Sequence, residues 1–181
     1  GVNKYGNREI AKVRNDPEQL NRTFFEVLAM QIMNMIVATA AYFIFVRMTV
    51  NENRFFWNLT GLTMIASMLD VTWFFFGIED FRRASIRNMI VKVLGVALIM
   101  TLCRTPQDLW LYIVINAGSE LFGQLIMFIQ LRNYVHFERI SLREAYRKHF
   151  YPTLQLFIPT IAISVYTMLD QPMIGYLYNE T

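Results

Sequence analysis

The chain has 181 residues, of which 55% are apolar and 15% aromatic, and its mean hydropathy is +0.30. This composition argues against water as the only solvent of the protein. The apolar residues are also clustered along the chain. The formal net charge of +3 fits attraction to an anionic membrane surface, so we expect no nucleic-acid partner. The single cysteine, Cys103, excludes an internal disulfide. His136 and His149 lie in one basic loop, and neither has a Cys companion at metal-site spacing, so we expect no metal site.

Five segments approach or reach the roughly 20 helical residues that cross a hydrocarbon core. They are residues 24–46, 55–78, 88–103, 109–129 and 153–178. The stretch NDPEQ predicts a helix start, with Asp16 as the cap and Pro17 in the first position, so we expect one helix over 17–46. The third segment is short, and it reaches spanning length only if Ile86 and Lys92 lie in the interface.

The loops alternate in charge. Residues 1–23, 79–92 and 130–152 hold five, four and five Lys and Arg, whereas the alternate connections hold two and one. Because cytoplasmic loops carry this excess, we expect a cytoplasmic N-terminus. The predicted organisation is a cytoplasmic segment at 1–23, four spans within 24–129, a basic cytoplasmic connector at 130–152 and a further span within 153–181. The capping-box spacing of SLRE predicts a short basic interfacial helix in the connector.

One acid, Asp70, lies within the uncharged run of the second predicted span. A charge at the bilayer centre costs roughly 2.5 to 3.5 kcal/mol, so Asp70 should face protein or water. At 100° per residue it shares an arc of about 100° with Ser67 and other polar or small residues, namely Thr60, Thr63 and Gly77. We predict that Asp70 faces a water-filled cavity and helps to bind or gate a cargo. The alternative is a buried carboxylate tied to a neighbouring helix.

Three other predicted spans carry polar faces by the same geometry. These faces include Gln31 and Asn34 in the first span, Asn116, Glu120 and Gln124 in the fourth, and Tyr166 and Asp170 in the fifth. Packing between helices is the alternative role for the amides and for Tyr166. Pro159 and Pro172 are expected to break the fifth span, as in the moving helices of transporters. A cavity lined by amides, hydroxyls and acids suits a sugar-like cargo, and could equally carry protons or cations.

Four segments carry a family resemblance: YGNREIAKVRND (5–16), LDVTWFFFGIEDF (69–81), DLWLYIVINAGSELFGQL (108–125) and FIPTIAISVYTMLDQPMIGYL (157–177). In their order and spacing the chain resembles the Wzx-type polysaccharide repeat-unit flippases of the multidrug/oligosaccharidyl-lipid/polysaccharide exporter superfamily. The resemblance implies an all-α, polytopic membrane helix bundle. By this resemblance the five spans belong to a two-lobed transporter of about twelve to fourteen spans, so we expect a piece of a longer protein.

The resemblance also implies a function. Such a protein moves undecaprenyl-pyrophosphate-linked oligosaccharides from the inner to the outer leaflet of a bacterial plasma membrane by alternating access, for capsule, O-antigen or exopolysaccharide synthesis. It is no enzyme, it uses no cofactor beyond a coupling H⁺ or Na⁺, and its partners are membrane lipids and the polymerase machinery. The family's two acids match Asp70 and Asp170. Gln171 stands where the family commonly has Lys, and Phe76 where it commonly has Gln, which weakens the expected cargo contacts there.

Four cations on the cytoplasmic side are candidates for contact with the pyrophosphate, because guanidinium groups suit bidentate phosphate binding. They are Arg82, Arg83, Arg87 and Lys92. The alternative is that they serve only to orient the chain. Two other functions remain open: a cation-coupled small-molecule exporter of the same superfamily, and a membrane enzyme acting on lipid-linked sugars. The second is disfavoured, because the sequence indicates no intramembrane histidine and no pairing of a nucleophile with a base.

Overall fold

The computed structural model describes residues 1–178, and the side chains of residues 1–169. Its helices are α1 (Val2–Val13), α2 (Pro17–Thr49), α3 (Arg54–Met68), α4 (Thr72–Gly77), α5 (Phe81–Leu102), α6 (Leu109–Leu131) and α7 (Leu142–Tyr178), with a 3₁₀ turn at Pro106–Asp108. Residues 1–178 contain no β-strand. The predicted all-α class is therefore confirmed.

Five helical segments of the described chain are long and apolar enough to cross a membrane. They are Pro17–Thr49, Arg54–Gly77, Phe81–Leu102, Pro106–Leu131 and Leu142–Leu169. Large apolar side chains stay exposed along them, as at Met48 (80%) and Met100 (76%). Continuous apolar surface of this extent needs a lipid environment, and the chain is a multi-pass membrane protein.

The predicted start of the first long helix is confirmed. The Asp16 carboxylate accepts hydrogen bonds from the backbone N–H groups of Glu18 and Gln19, each at 3.1 Å, and Pro17 occupies the first helical position. This cap satisfies donors that a helix start otherwise leaves without partners. The helix continues to Thr49, slightly beyond the predicted end.

The last helix corrects two predictions. No separate connector helix forms, because the basic segment is the first part of α7, which runs unbroken from Leu142 to Tyr178. The predicted helix breaks at Pro159 and Pro172 are also wrong, since both residues lie within this helix. A proline removes a single backbone donor, and one missing hydrogen bond does not end a helix of 37 residues. The predicted boundary at 152/153 accordingly falls inside α7, as that at 23/24 falls inside α2.

The second predicted span also differs from expectation, because it consists of two helices, α3 and α4. The short helix α4 carries the aromatic centre of the core. Trp73, Phe74 and Phe75 are at most 1% exposed, and Phe24 of α2 lies 5.6 Å from Trp73 and 5.1 Å from Phe74 between ring centroids. Burying such large rings fixes α4 against α2.

The N-terminal helix α1 packs on α4 through two glycines. A Cβ atom at Gly6 would lie 2.6 Å from Cε3 of Trp73, and one at Gly77 would lie 2.5 Å from Cβ of Ile10. Hydrogen in place of a side chain at both positions therefore lets the two helices approach this closely. The N-terminal segment is thus part of the folded core.

Gly6→Ala is expected to lower the free energy of unfolding by about 1 to 3 kcal/mol, because the Trp73 ring is held by Phe24 and cannot retreat from an added methyl group. The measurement is thermal unfolding of the purified protein in detergent. Gly118→Ala is the matched control, since a Cβ atom there meets nothing within 4 Å. An equal loss in the two variants would contradict the packing described.

Candidate functional site

The break between α3 and α4 places irregular backbone inside a membrane-spanning segment. After Met68 the backbone N–H groups of Leu69 and Asp70 turn back to the carbonyl oxygens of Ala66 and Ser67, at 3.1 and 3.3 Å. The last carbonyls of a helix lack partners from the next turn, and within a bilayer they cannot turn to solvent. The break therefore requires hydrogen-bond donors from elsewhere in the protein.

Gln31 of α2 supplies these hydrogen bonds. Its Nε2 lies 3.3, 3.2 and 2.9 Å from the carbonyl oxygens of Ser67, Met68 and Asp70. Its Oε1 accepts a hydrogen bond of 2.8 Å from the indole nitrogen of Trp73. The side chain is only 4% exposed, so one buried amide connects the end of α3 to the aromatic core of α4.

The Asp70 carboxylate lies at the break itself. Oδ1 accepts a hydrogen bond from the backbone N–H of Thr72 at 3.0 Å, and Oδ2 accepts one from the Asn3 amide of α1 at 3.2 Å. Within the described residues Asp70 forms no ion pair. Its negative charge is therefore held by neutral donors and remains available to a cation or to hydroxyl groups.

A cavity of about 550 Å³ opens beside this carboxylate, and we refer to it as the Asp70 cavity. It lies between α1, α2, the end of α3 and the first half of α7. The polar residues that line it are Asn3, Gln31, Asn34, Ser67, Asp70 and Thr153. The structure thus brings together four predicted site residues: Gln31, Asn34, Ser67 and Asp70.

A hydrogen-bonded path leads from Asp70 to a buried arginine. The Thr72 hydroxyl accepts a bond of 3.1 Å from Nη2 of Arg87, and the same nitrogen donates to Oε1 of Gln124 at 3.2 Å. Gly123 leaves room for the guanidinium, because a Cβ atom there would lie 3.0 Å from Nη1. Arg87 is 8% exposed and has no carboxylate within ion-pair distance among the described residues. Burying an unpaired charge is costly, which indicates a functional reason for it.

A second cavity of about 470 Å³ lies where α5 begins and α6 ends, and we call it the arginine pocket. Its polar lining consists of Asp80, Arg82, Arg83, Arg87 and Gln130. Two buried atoms of this lining, Nε of Arg87 and Oε1 of Gln130, have no hydrogen-bond partner in the described part of the chain. Three of the four predicted phosphate-binding cations therefore share one pocket. Lys92 is exposed and does not line it.

The acid in the arginine pocket is already neutralised. Oδ2 of Asp80 pairs with Nε of Arg83 at 2.9 Å and accepts a hydrogen bond from the Tyr134 hydroxyl at 3.0 Å. Burial, and then the hydrogen bond to Asp80, raise the pKa of Tyr134, so this hydroxyl remains a donor at neutral pH. The charges of Arg82 and Arg87 are left unpaired in the described structure, and the pocket is suited to an anion.

Other predicted site residues do not join either cavity. Glu120 and Asn116 are exposed on α6, and the Asn116 amide donates to the carbonyl of Tyr112 in its own helix. Tyr166 is 70% exposed on α7. The expected single cavity shared by all these faces is therefore not found, because only part of the predicted face of α6, at Gly123 and Gln124, packs against Arg87 of α5. The side chains of Asp170 and Pro172 lie outside the described residues.

The structure also contains a buried cluster that the sequence did not indicate. The Tyr5 hydroxyl lies 2.6 Å from Nδ1 of His149, and Nε2 of His149 lies 2.9 Å from Oε2 of Glu26. The expectation of no intramembrane histidine is therefore wrong, because His149 lies within the candidate membrane span Leu142–Leu169. His149 is 144 positions from Tyr5 and 123 from Glu26, so no local spacing could have revealed the cluster. No group of three or more metal-ligating side chains occurs within the described chain.

The chain matches the model of the family described as polysaccharide biosynthesis protein, and the match covers residues 1–181. No curated protein and no solved structure matches the chain significantly. The matched range includes every element of the site: the break at Asp70, the Gln31 cap and the arginine pocket. The chain belongs to the polysaccharide biosynthesis protein family.

Proposed function

We propose that this protein is a flippase that moves undecaprenyl-pyrophosphate-linked oligosaccharide repeat units across the bacterial plasma membrane by alternating access. The family assignment and the five membrane-spanning segments support a transporter that serves polysaccharide synthesis. The observation that carries the proposal is the broken helix at Asp70, which places a carboxylate and an amide cap beside a cavity within a membrane span. Broken helices at cavities are typical of transporter substrate and ion sites.

The Asp70 cavity provides the chemistry that sugars require. Gln31, Asn34 and Ser67 offer amide and hydroxyl groups, and the carboxylate accepts hydrogen bonds from vicinal hydroxyls. Phe150 and Phe157 of α7 also line the cavity and offer apolar ring surface to a sugar face. Such a mixture of a few polar groups on apolar walls is typical of small-molecule sites.

The arginine pocket provides the matching chemistry for a diphosphate. Arg82, Arg83 and Arg87 surround it, and Arg87 keeps a buried Nε that no described residue satisfies. Charge-assisted bonds from guanidinium to phosphate oxygen are among the strongest available to proteins. The path Asp70–Thr72–Arg87 joins the two cavities, so binding of a diphosphate has a direct route to the broken helix.

The membrane location, the coupling ion and the partners of the protein follow from the same proposal. The excess of Lys and Arg in alternate loops supports a cytoplasmic N-terminus in a bacterial plasma membrane. A coupling H⁺ or Na⁺ is expected to drive the cycle. Membrane lipids and the polysaccharide polymerase are the expected partners.

Complementation of a flippase-null bacterium tests the proposal. Asp70→Asn and Asp70→Ala are expected to lower surface polysaccharide at least about tenfold at matched membrane abundance, because each removes the charge from the break. Glu120→Gln is the matched control, since Glu120 is exposed and lies outside both cavities. If the unaltered protein conferred drug resistance without restoring polysaccharide, the function would be small-molecule export instead.

A further inference from the structure

Three buried side chains from three helices form one hydrogen-bonded chain. Tyr5 of α1, Glu26 of α2 and His149 of α7 are 3%, 4% and 1% exposed. The Tyr5 oxygen lies 2.6 Å from Nδ1 of His149, and Nε2 of the same ring lies 2.9 Å from the Glu26 carboxylate. Neither the cavities nor the proposed cargo contacts use these groups.

The hydrogen bonds define the protonation state of the histidine. Burial, followed by the nearby charge of Glu9, raises the pKa of Tyr5 to about 12, so this hydroxyl keeps its proton and donates it to Nδ1. His149 then carries its single proton on Nε2 and donates it to Glu26. In this neutral form every hydrogen-bonding atom of the ring has a partner.

A second proton on His149 would disturb this arrangement in two ways. The Tyr5 hydroxyl would have to turn and accept from the protonated Nδ1, which leaves its own buried proton without an acceptor among the described residues. The proton would also add a positive charge beside Lys148 and Arg22, which already contact Glu26 at 2.6 and 3.0 Å. Glu9 of α1 is already paired with Lys12 and Arg8, so its negative charge compensates little for the positive charge added to His149.

The cluster lies where α1 and α7 cover the Asp70 cavity. Gly1, Val2 and Asn3 of α1 and Phe157 of α7 line that cavity, and Asn3 donates directly to Asp70. Movement of α1 away from α7 would therefore remove a hydrogen bond from Asp70 and widen access to it. Tyr5 is two residues from Asn3 and His149 is next to Phe150, so these two helices connect the cluster directly to the cavity.

We infer that Tyr5, His149 and Glu26 form a proton-binding site, and that a proton taken up by His149 releases α1 from α7 and opens the Asp70 cavity. Its use to drive transport rests on the proposed function. The proton-binding site and the helix movement do not depend on the proposed function, because they concern only these three helices.

Disulfide cross-linking in native membranes tests the inference. A Cβ atom at Gly1 would lie 2.9 Å from Cβ of Phe157, so Gly1→Cys with Phe157→Cys, in a Cys103→Ser background, reports contact between α1 and α7. Gly95→Cys with Ser119→Cys is the matched control between α5 and α6, where the corresponding distance is 3.7 Å. Normalising to the control removes the ordinary effect of pH on thiol oxidation.

Cross-linking of the α1–α7 pair is expected to fall about threefold or more, relative to the control pair, between about pH 8 and about pH 5. His149→Gln keeps a donor for Glu26 and cannot gain a proton, so it is expected to abolish the fall. Tyr5→Phe frees Nδ1 and is expected to move the fall to higher pH. A constant ratio in the protein with His149, or an unchanged fall in His149→Gln, would overturn the inference.

The outcome is separable from that of the proposed function. A pH-dependent cross-link in a protein that fails to restore surface polysaccharide would support the proton site and refute the flippase. Restored polysaccharide with a pH-independent cross-link would support the flippase and refute the proton site.

Discussion

Replacing Gln31 with Leu is expected to lower the free energy of unfolding by about 2 to 4 kcal/mol and to abolish export of polysaccharide. The change removes the donor that faces the carbonyl oxygens of Ser67, Met68 and Asp70, and the acceptor for the Trp73 indole. Each of these groups is held within a membrane span, where lipid offers no replacement partner. The measurement is the midpoint of thermal unfolding in detergent, beside complementation at matched abundance.

Asn34→Leu is the matched control for this prediction. Asn34 lines the same cavity one turn along α2, but the described bond of its side chain is a single one of 3.3 Å from the Tyr146 hydroxyl. Its replacement is expected to cost less than about 1 kcal/mol. The double variant Gln31→Leu, Trp73→Phe should lose less stability than the sum of the two single changes, because both remove the same hydrogen bond. Equal losses for Gln31→Leu and Asn34→Leu would contradict the role of Gln31 as a cap.

The membrane helices were predictable, because their signal is local. Length, apolar clustering and the Asp16–Pro17 start depend on neighbouring residues, and the structure has a helix at each expected span. The break at Asp70 was not predictable in this way. The segment SMLDVT contains neither Gly nor Pro, and the break is stabilised by Gln31, which lies 36 to 39 positions away.

The candidate site could also be predicted only where its signal was local in sequence. Helical geometry correctly placed Glu120 and Gln124 near one another on a face of α6, yet one is exposed and the other is 6% exposed against Arg87. Angular position on one helix does not specify which helix packs against each part of the face. Arg87 was predicted as a cytoplasmic cation, whereas its burial depends on Gly123 of the neighbouring helix. The Tyr5–His149 pair joins residues 144 positions apart and has no sequence signal at all.

Arg87→Met is expected to lower export of surface polysaccharide at least about tenfold while changing the unfolding midpoint little. Met fills a similar volume, and the loss of hydrogen bonds to Thr72 and Gln124 is offset by removal of a buried charge that lacks an ion-pair partner among the described residues. Transport is affected more because a phosphate loses a charge-assisted bond worth about 1.5 to 3 kcal/mol, which corresponds to tenfold or more in affinity. Binding of inorganic pyrophosphate to the purified protein is expected to weaken by the same factor.

Lys92→Met separates this role from a general effect of positive charge. Lys92 lies on the same helix, is exposed and does not line the arginine pocket, so its replacement removes the same formal charge without touching the pocket. It is expected to leave both pyrophosphate binding and polysaccharide export near the level of the unaltered protein. Arg87→Lys should retain the charge but lose the second nitrogen that bridges phosphate oxygens, and so fall between the two. If Arg87→Met exported normally, or if Lys92→Met were equally impaired, the arginines would serve only to orient the chain in the membrane.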